Sequence, residues 1–163
     1  MDTVALDDPM KVADEIEAFI KTLPSRTAVW WGLLAAEAAC DNKPTAEEDK
    51  ALQVTWSWVR HPTAKHHMVA HTVAQEYTTE TAAGCALHAA AAAGILEPAP
   101  PGANTVADRQ ARSLSCAAVF LSVTEAMDEG LEFGYAQLLD LGKRIADNMV
   151  PWAADDHQPN HHE

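Results

Sequence analysis

The sequence predicts an all-α protein, a compact single-domain bundle of about seven helices with a proline-rich crossover between two helical groups. Three observations predict it. Apolar residues recur at spacings of three and four along most of the chain, and no run shows the period-two alternation of a half-buried strand. Residues that cap helices stand just ahead of these runs: Asp8 before Pro9, Thr45 with Glu48, Thr63 and Thr105. Finally, 163 residues with 48% hydrophobic and 21% charged side chains make one ordinary domain that can bury its own core, and exclude a chain disordered as a whole.

The elements follow in order. Val12, Ile16, Phe19, Ile20 and Leu23 form one face of a first helix, which Asp8 caps and Pro9 opens. A second starts near Pro24 or Ser25, carries Val29, Leu33, Ala36 and Cys40 on one stripe widened by Trp30 and Leu34, and stops around residues 41–44. Thr45 and Glu48 form a capping box for a third, with Leu52, Trp56 and Val59 on its main stripe and Ala51, Thr55 and Trp58 beside it. His61-Pro62 ends that helix, because proline disfavours helical geometry in the residue before it. Thr63 caps a fourth, expected to turn Val69, Val73 and Tyr77 inward, and Thr79 or Glu80 opens an alanine-rich fifth that closes at Gly94.

Residues 97–104, with Pro98, Pro100 and Pro101, cannot be helical and read as a stiff crossover. Thr105 caps a sixth helix whose stretch Leu114 to Leu121 is apolar nearly all round, which marks it as the central and most buried one. Gly130 punctuates, and a seventh carries Leu131, Tyr135, Leu138, Ile145 and Met149. The helical domain is thus expected over 1–152, with 153–163 a flexible acidic, histidine-containing tail. The many alanines of helices four to six allow close axial approach, with tryptophans filling the wider gaps.

Eleven basic against twenty-four acidic residues give a net charge of −13, which argues against nucleic acid and anionic membrane as partners. The start of the chain lacks a signal-peptide pattern, and the most apolar segment, Thr81 to Leu96, is too short and too alanine-rich to span a bilayer. Cys40, Cys85 and Cys116 are odd in number and far apart, so reduced thiols and a cytoplasmic location are expected.

Several landmarks act together. Leu23-Pro24 with Arg26 precedes Ala28-Val29-Trp30-Trp31; Ala51-Leu52 leads to Trp58-Val59 and then Pro62-Thr63; a small-residue run from Ala89 to Gly94 enters the proline-rich crossover and a second apolar helix. In these the chain resembles a bacterial family, the domain of unknown function numbered 6931, over roughly residues 20–125. The resemblance implies an all-helical bacterial protein of uncharacterised role. It carries no functional site, and where the family's fourth helix bears arginine this chain has His66, His67 and His71.

Those histidines are the sharpest polar feature. His67 and His71, four apart on one helix face, are the candidate metal ligands, while His66 points about 100° away. A metal centre needs a third ligand, for which Glu76, His61 and His88 are open alternatives, and a solvated histidine flank is the plainer reading. Cys85 and His88 stand three apart, but an alanine-walled thiol suits a core better than a nucleophile. Asp128-Glu129-Gly130 lacks the alternating ligands of a calcium loop, and Leu141-Gly142-Lys143 is no phosphate cradle. Trp30 and Trp31 point in two directions from one helix. Either the helix is buried on both sides, or one indole is exposed as a partner-binding anchor.

The function expected is therefore non-enzymatic: a helical protein–protein interaction or accessory protein of a bacterial assembly, with no cofactor. Its acidic surface suits a basic protein partner, and a homodimer through exposed tryptophan is an open alternative. The rival expectation is a metal-binding helical bundle, sensor or enzyme, centred on His67 and His71.

Overall fold

A computed structural model describes residues 8–41, 43–93, 105–131 and 134–147. Within them lie seven α-helices and no strand: α1 Pro9–Ile20, α2 Ser25–Cys40, α3 Ala46–Arg60, α4 Ala64–Ala74, α5 Ala82–Ala93, α6 Val106–Asp128 and α7 Tyr135–Ala146. The protein is an all-α bundle. The crossover at 97–104, Met149 and the tail at 153–163 lie outside the described residues.

Local chemistry sets the helix starts. Asp8 Oδ1 accepts the Met10 N–H at 3.0 Å, and capping boxes close α3 through Thr45 and Glu48 and α6 through Thr105 and Asp108. Thr63 caps α4, and Thr81 Oγ1 accepts the Gly84 N–H at 3.0 Å, so α5 begins just after the residues the sequence suggested. Leu131 falls outside α7, which starts at Tyr135 after Gly134.

The core is centred on α2. Eleven of its 16 residues and nine of the 12 in α5 are buried, whereas α6 leaves Leu114, Ala117, Phe120 and Leu121 only partly covered. The expectation that α6 is the most buried helix is therefore corrected. An apolar perimeter does not by itself fix depth, and α2 is walled by α6 on one flank, by α5 and α3 on another and by α7 on a third. Close approach depends on missing side chains: a Cβ on Gly32 would stand 3.3 Å from Ala118 Cβ, and one on Gly142 only 2.5 Å from Trp31 Cε2 and Cζ2.

Two further faces differ from expectation. In α3 the buried set is Ala51, Leu52, Thr55, Trp58 and Val59, so Trp58 is the core indole while Trp56 is half-buried. In α4 the inward face is Ala70 and Ala74; Val69 is exposed, and Val73 and Tyr77 are partly covered. Alanine on α4 seats that helix closely against α5, a contact that the larger Val69 would have held apart.

Three interactions at one end of the bundle orient the helices. Arg26, in the first turn of α2, donates to the Val59 and Arg60 carbonyls at the end of α3 at 2.6 and 3.0 Å. Ser25 donates to Asp108 in the first turn of α6, and Arg112 donates to the Leu23 carbonyl at 3.3 Å. At the opposite end, Glu125 of α6 accepts the Ala82 N–H at the start of α5 at 2.8 Å. So α2 and α6 run parallel, with α3 and α5 antiparallel to them.

Candidate functional site

This arrangement sorts charge. Lys21, Arg26, Arg60, Lys65, Arg109 and Arg112, six of the eleven cationic side chains, belong to the end where α2 and α6 begin and α3 finishes. At the other end the start of α3 brings Glu47, Glu48 and Asp49, and the end of α6 brings Glu125, Asp128 and Glu129, with Lys50 paired to Glu76 at 3.6 Å. Along α6 the order is the reverse of what a helix dipole favours, with arginines in the positive first half and carboxylates at the negative terminus. Asp108 in the first turn is the exception. Helix stability alone does not account for this placement.

The acidic end shows its crowding in its titration. Burial pushes the Glu125 carboxyl above its ordinary range against the pull of the Ala82 N–H, and the charges of Glu48 and Asp128 push the same way. Glu37, half-buried nearby, is raised by burial first, with its hydrogen bond to Trp56 opposing and Asp49 adding to the rise. Amid these carboxylates the Cys40 thiol is pushed up to about 12 by burial and then by Glu48. Met127, on the same turn as Asp128, is 68% exposed.

The tryptophan expectation is resolved in favour of a helix buried on both sides. Trp31 is 0% exposed and Trp30 2%, so neither indole offers a surface to a partner. Trp31 donates its Nε1–H to the Leu138 carbonyl at 2.9 Å and meets Phe19 edge-on; Trp30 meets Trp56 edge-on at 4.8 Å between centroids. The Arg60 guanidinium lies 5.4 Å from the Trp56 ring centre and covers that half-buried indole.

The histidines divide into two pairs. His61 stacks on His66 at 5.9 Å, and burial, then His61, lowers the His66 pKa. His67 and His71 lie 6.1 Å apart, tilted by 38°. His67 is half-buried and donates from Nε2 to the Ala91 carbonyl at 3.1 Å, which leaves Nδ1 as its ligating nitrogen. Among the described residues no group of three His, Cys, Asp or Glu is placed to hold a metal ion. Of the open third ligands, His88 is engaged elsewhere, donating from Nε2 to the Tyr77 carbonyl at 2.8 Å.

Cys85 donates to the Thr79 carbonyl at 3.2 Å, so it and His88 face different acceptors and do not form a nucleophile–base pair. Burial holds the Cys85 and Cys116 thiols near 11, far from the activated range.

The fold and the charge-divided ends define a small all-helical bundle. Within that class the family is clear. The sequence matches the Family of unknown function (DUF6931) over residues 4–146, and the chain belongs to it. The match extends well beyond the landmark motifs at both ends. No curated protein matches the chain, and no solved structure does. No helix among the described residues is long and apolar enough to cross a membrane.

Sequence reasoning missed the charge-divided ends. The nearest signal was the pair Arg109 and Arg112 at the start of α6 set against Glu125, Asp128 and Glu129 at its end, which opposes the dipole.

Proposed function

We propose that this protein is a non-enzymatic accessory protein that docks a basic protein partner on its acidic end, in the bacterial cytoplasm. The observation that carries the reading is the gathering of carboxylates at the end where α3 begins and α6 finishes, where Glu48 and Asp128 both act on Glu125, together with the exposed Met127 in the last turn of α6. A net charge of −13, with six carboxylates from two helices meeting at that end, steers a basic partner and biases its orientation, and the flexible thioether of Met127 adapts to an apolar contact. Three free, high-pKa cysteines suit a reducing compartment.

The test is affinity capture of the tagged full chain from its native cells. Wild type is compared with a triple variant, Met127→Lys, Asp128→Lys and Glu129→Lys, and with a control carrying Asp14→Lys and Glu17→Lys on α1, whose Glu17 lies beside Arg109 and Arg112 at the cationic end. One reproducible basic partner, held by wild type and control and absent from the triple variant, is the expected result. Equal retention by all three would remove the acidic end from the interface.

A second reading keeps the His67–His71 pair as part of a metal centre. Two imidazoles on one tetrahedral ion, with metal–nitrogen bonds of about 2 Å, place their ring centres about 5 Å apart, so the pair at 6.1 Å would have to close by about 1 Å, a small rotamer adjustment, to share an ion. Metal analysis of untagged protein purified without a nickel column tests it: one zinc, copper or iron per chain, lost in His71→Ala, supports the pair, and trace metal refutes it.

A further inference from the structure

The opposite, cationic end holds a cleft of about 480 Å³ between the end of α1 and the first half of α6. That volume falls within the range of small-molecule sites. Its floor is apolar: Ile20 from α1, and Cys116, Ala117 and Phe120 from α6. Phe120 packs against Tyr135 in a T-shaped pair with 5.6 Å between ring centres, a contact that restricts the ring's movement.

The polar side of the cleft has one dominant sign. Lys21, Arg109 and Arg112 line it, against the single carboxylate of Glu17. In a chain with eleven cationic and twenty-four anionic side chains, three cations in one small cleft reverse the overall balance. Arg112 is directed by its bond to the Leu23 carbonyl, and Asp108 lies close enough to interact with it. A guanidinium fork fits a carboxylate geometrically, and Lys21 supplies a mobile point charge opposite it. Arg109 and Arg112 are three apart on α6, so they present to the cleft from consecutive turns.

We infer that this cleft binds a small organic carboxylate with an apolar body, the carboxylate held by Lys21, Arg109 and Arg112 and the body lying over Ala117 and Phe120. The inference is independent of the docking reading, which concerns the other end of the bundle. The cations would confer charge selection, because burying a cationic or neutral head in their place would forfeit the charge-assisted bonds.

Calorimetric titration of the full chain with decanoate tests this, with decyltrimethylammonium as a cation of like chain length. Saturable binding of one decanoate per chain is expected, at least about ten-fold tighter than the cation. The double variant Lys21→Glu with Arg109→Glu, both exposed positions, should weaken decanoate binding about ten-fold or more with an unchanged circular dichroism spectrum. Ala117→Trp should abolish it by filling the floor; should that variant fail to fold, the charge variant alone decides. No saturable binding, equal affinity for anion and cation, or indifference to the charge variant would overturn the assignment. So would co-sedimentation with phosphatidylglycerol vesicles without binding of free decanoate, since that would make the cations a lipid-surface contact.

Discussion

Replacing Gly142 by alanine should destabilise this protein, although glycine-to-alanine changes inside helices ordinarily stabilise by about 1 kcal/mol. The sign reverses because of Trp31. A Cβ at 142 would lie 2.5 Å from Trp31 Cε2 and Cζ2, and 2.8 Å from Cδ2. The indole cannot easily retreat: it is fully buried, it packs edge-on with Phe19, and its Nε1–H is bonded to the Leu138 carbonyl one turn earlier on α7. Overpacking of this kind costs about 1–3 kcal/mol. Straining the buried indole hydrogen bond costs roughly 1–3 kcal/mol more. Against the propensity gain, the net loss is about 1–5 kcal/mol, which for a chain of this length lowers Tm by roughly 3–15 °C. Thermal unfolding followed by circular dichroism measures it. Trp31→Phe removes the clashing benzo ring, so Gly142→Ala should cost much less in that background, and the double-mutant cycle should show strong coupling. A Gly142→Ala protein as stable as wild type, or more so, would refute the packing of α7 on Trp31.

Three further predictions follow from the same physical arguments. Glu37 has its carboxyl raised by burial, so the folded state binds its proton more tightly than the unfolded chain does, and its contribution to stability falls as pH rises from the ordinary carboxylate range through the folded value. Glu37→Gln, which keeps an acceptor for Trp56, should raise Tm at pH 7 and make no difference near pH 4; the opposite order in a Tm–pH series would contradict this. The Ser115 hydroxyl is fully buried with no hydrogen-bond partner, so Ser115→Ala should be neutral or stabilising by up to about 1 kcal/mol in urea unfolding, and a loss of more than about 1 kcal/mol would show a partner for that hydroxyl. Cys85 and Cys116 titrate near 11 and are therefore about one-thousandth ionised at pH 8, so iodoacetamide should label them slowly in the native protein and rapidly after unfolding; fast native labelling would contradict their burial.

The helices were legible in the sequence because their signals are local. Asp8, Thr45 with Glu48, Thr63 and Thr105 each bond to an amide two or three residues away, and each marks the helix start that the structure shows. Which face turns inward was harder to read where alanine is the inward residue. Ala70 and Ala74 carry little hydrophobic signal, and Val69 outweighs them in the pattern while standing 42% exposed. The two indoles of Trp30-Trp31 left two outcomes open, because only the packing of α6, α3 and α7 around α2 decides that both are covered.

The ends of the bundle were not legible, for a physical reason. Arg26 reaches the end of α3 across more than thirty residues, and Arg112 reaches Leu23 across 89. The cationic cleft and the acidic end exist only once α2 and α6 run parallel. The histidine pair was visible from its four-residue spacing, but the engagement of His67 Nε2 by Ala91 depends on how α4 lies against α5.

The claim that the acidic end is the docking surface is tested most directly by lysine cross-linking in the native cells, with mass spectrometry of the tagged protein. Lys43 and Lys50 flank the acidic end, whereas Lys21 and Lys65 belong to the cationic one. Cross-links from Lys43 and Lys50 to a single basic protein, with none from Lys21 or Lys65 to it, are the predicted result. Cross-links to a partner that start only from Lys21 and Lys65 would contradict the account.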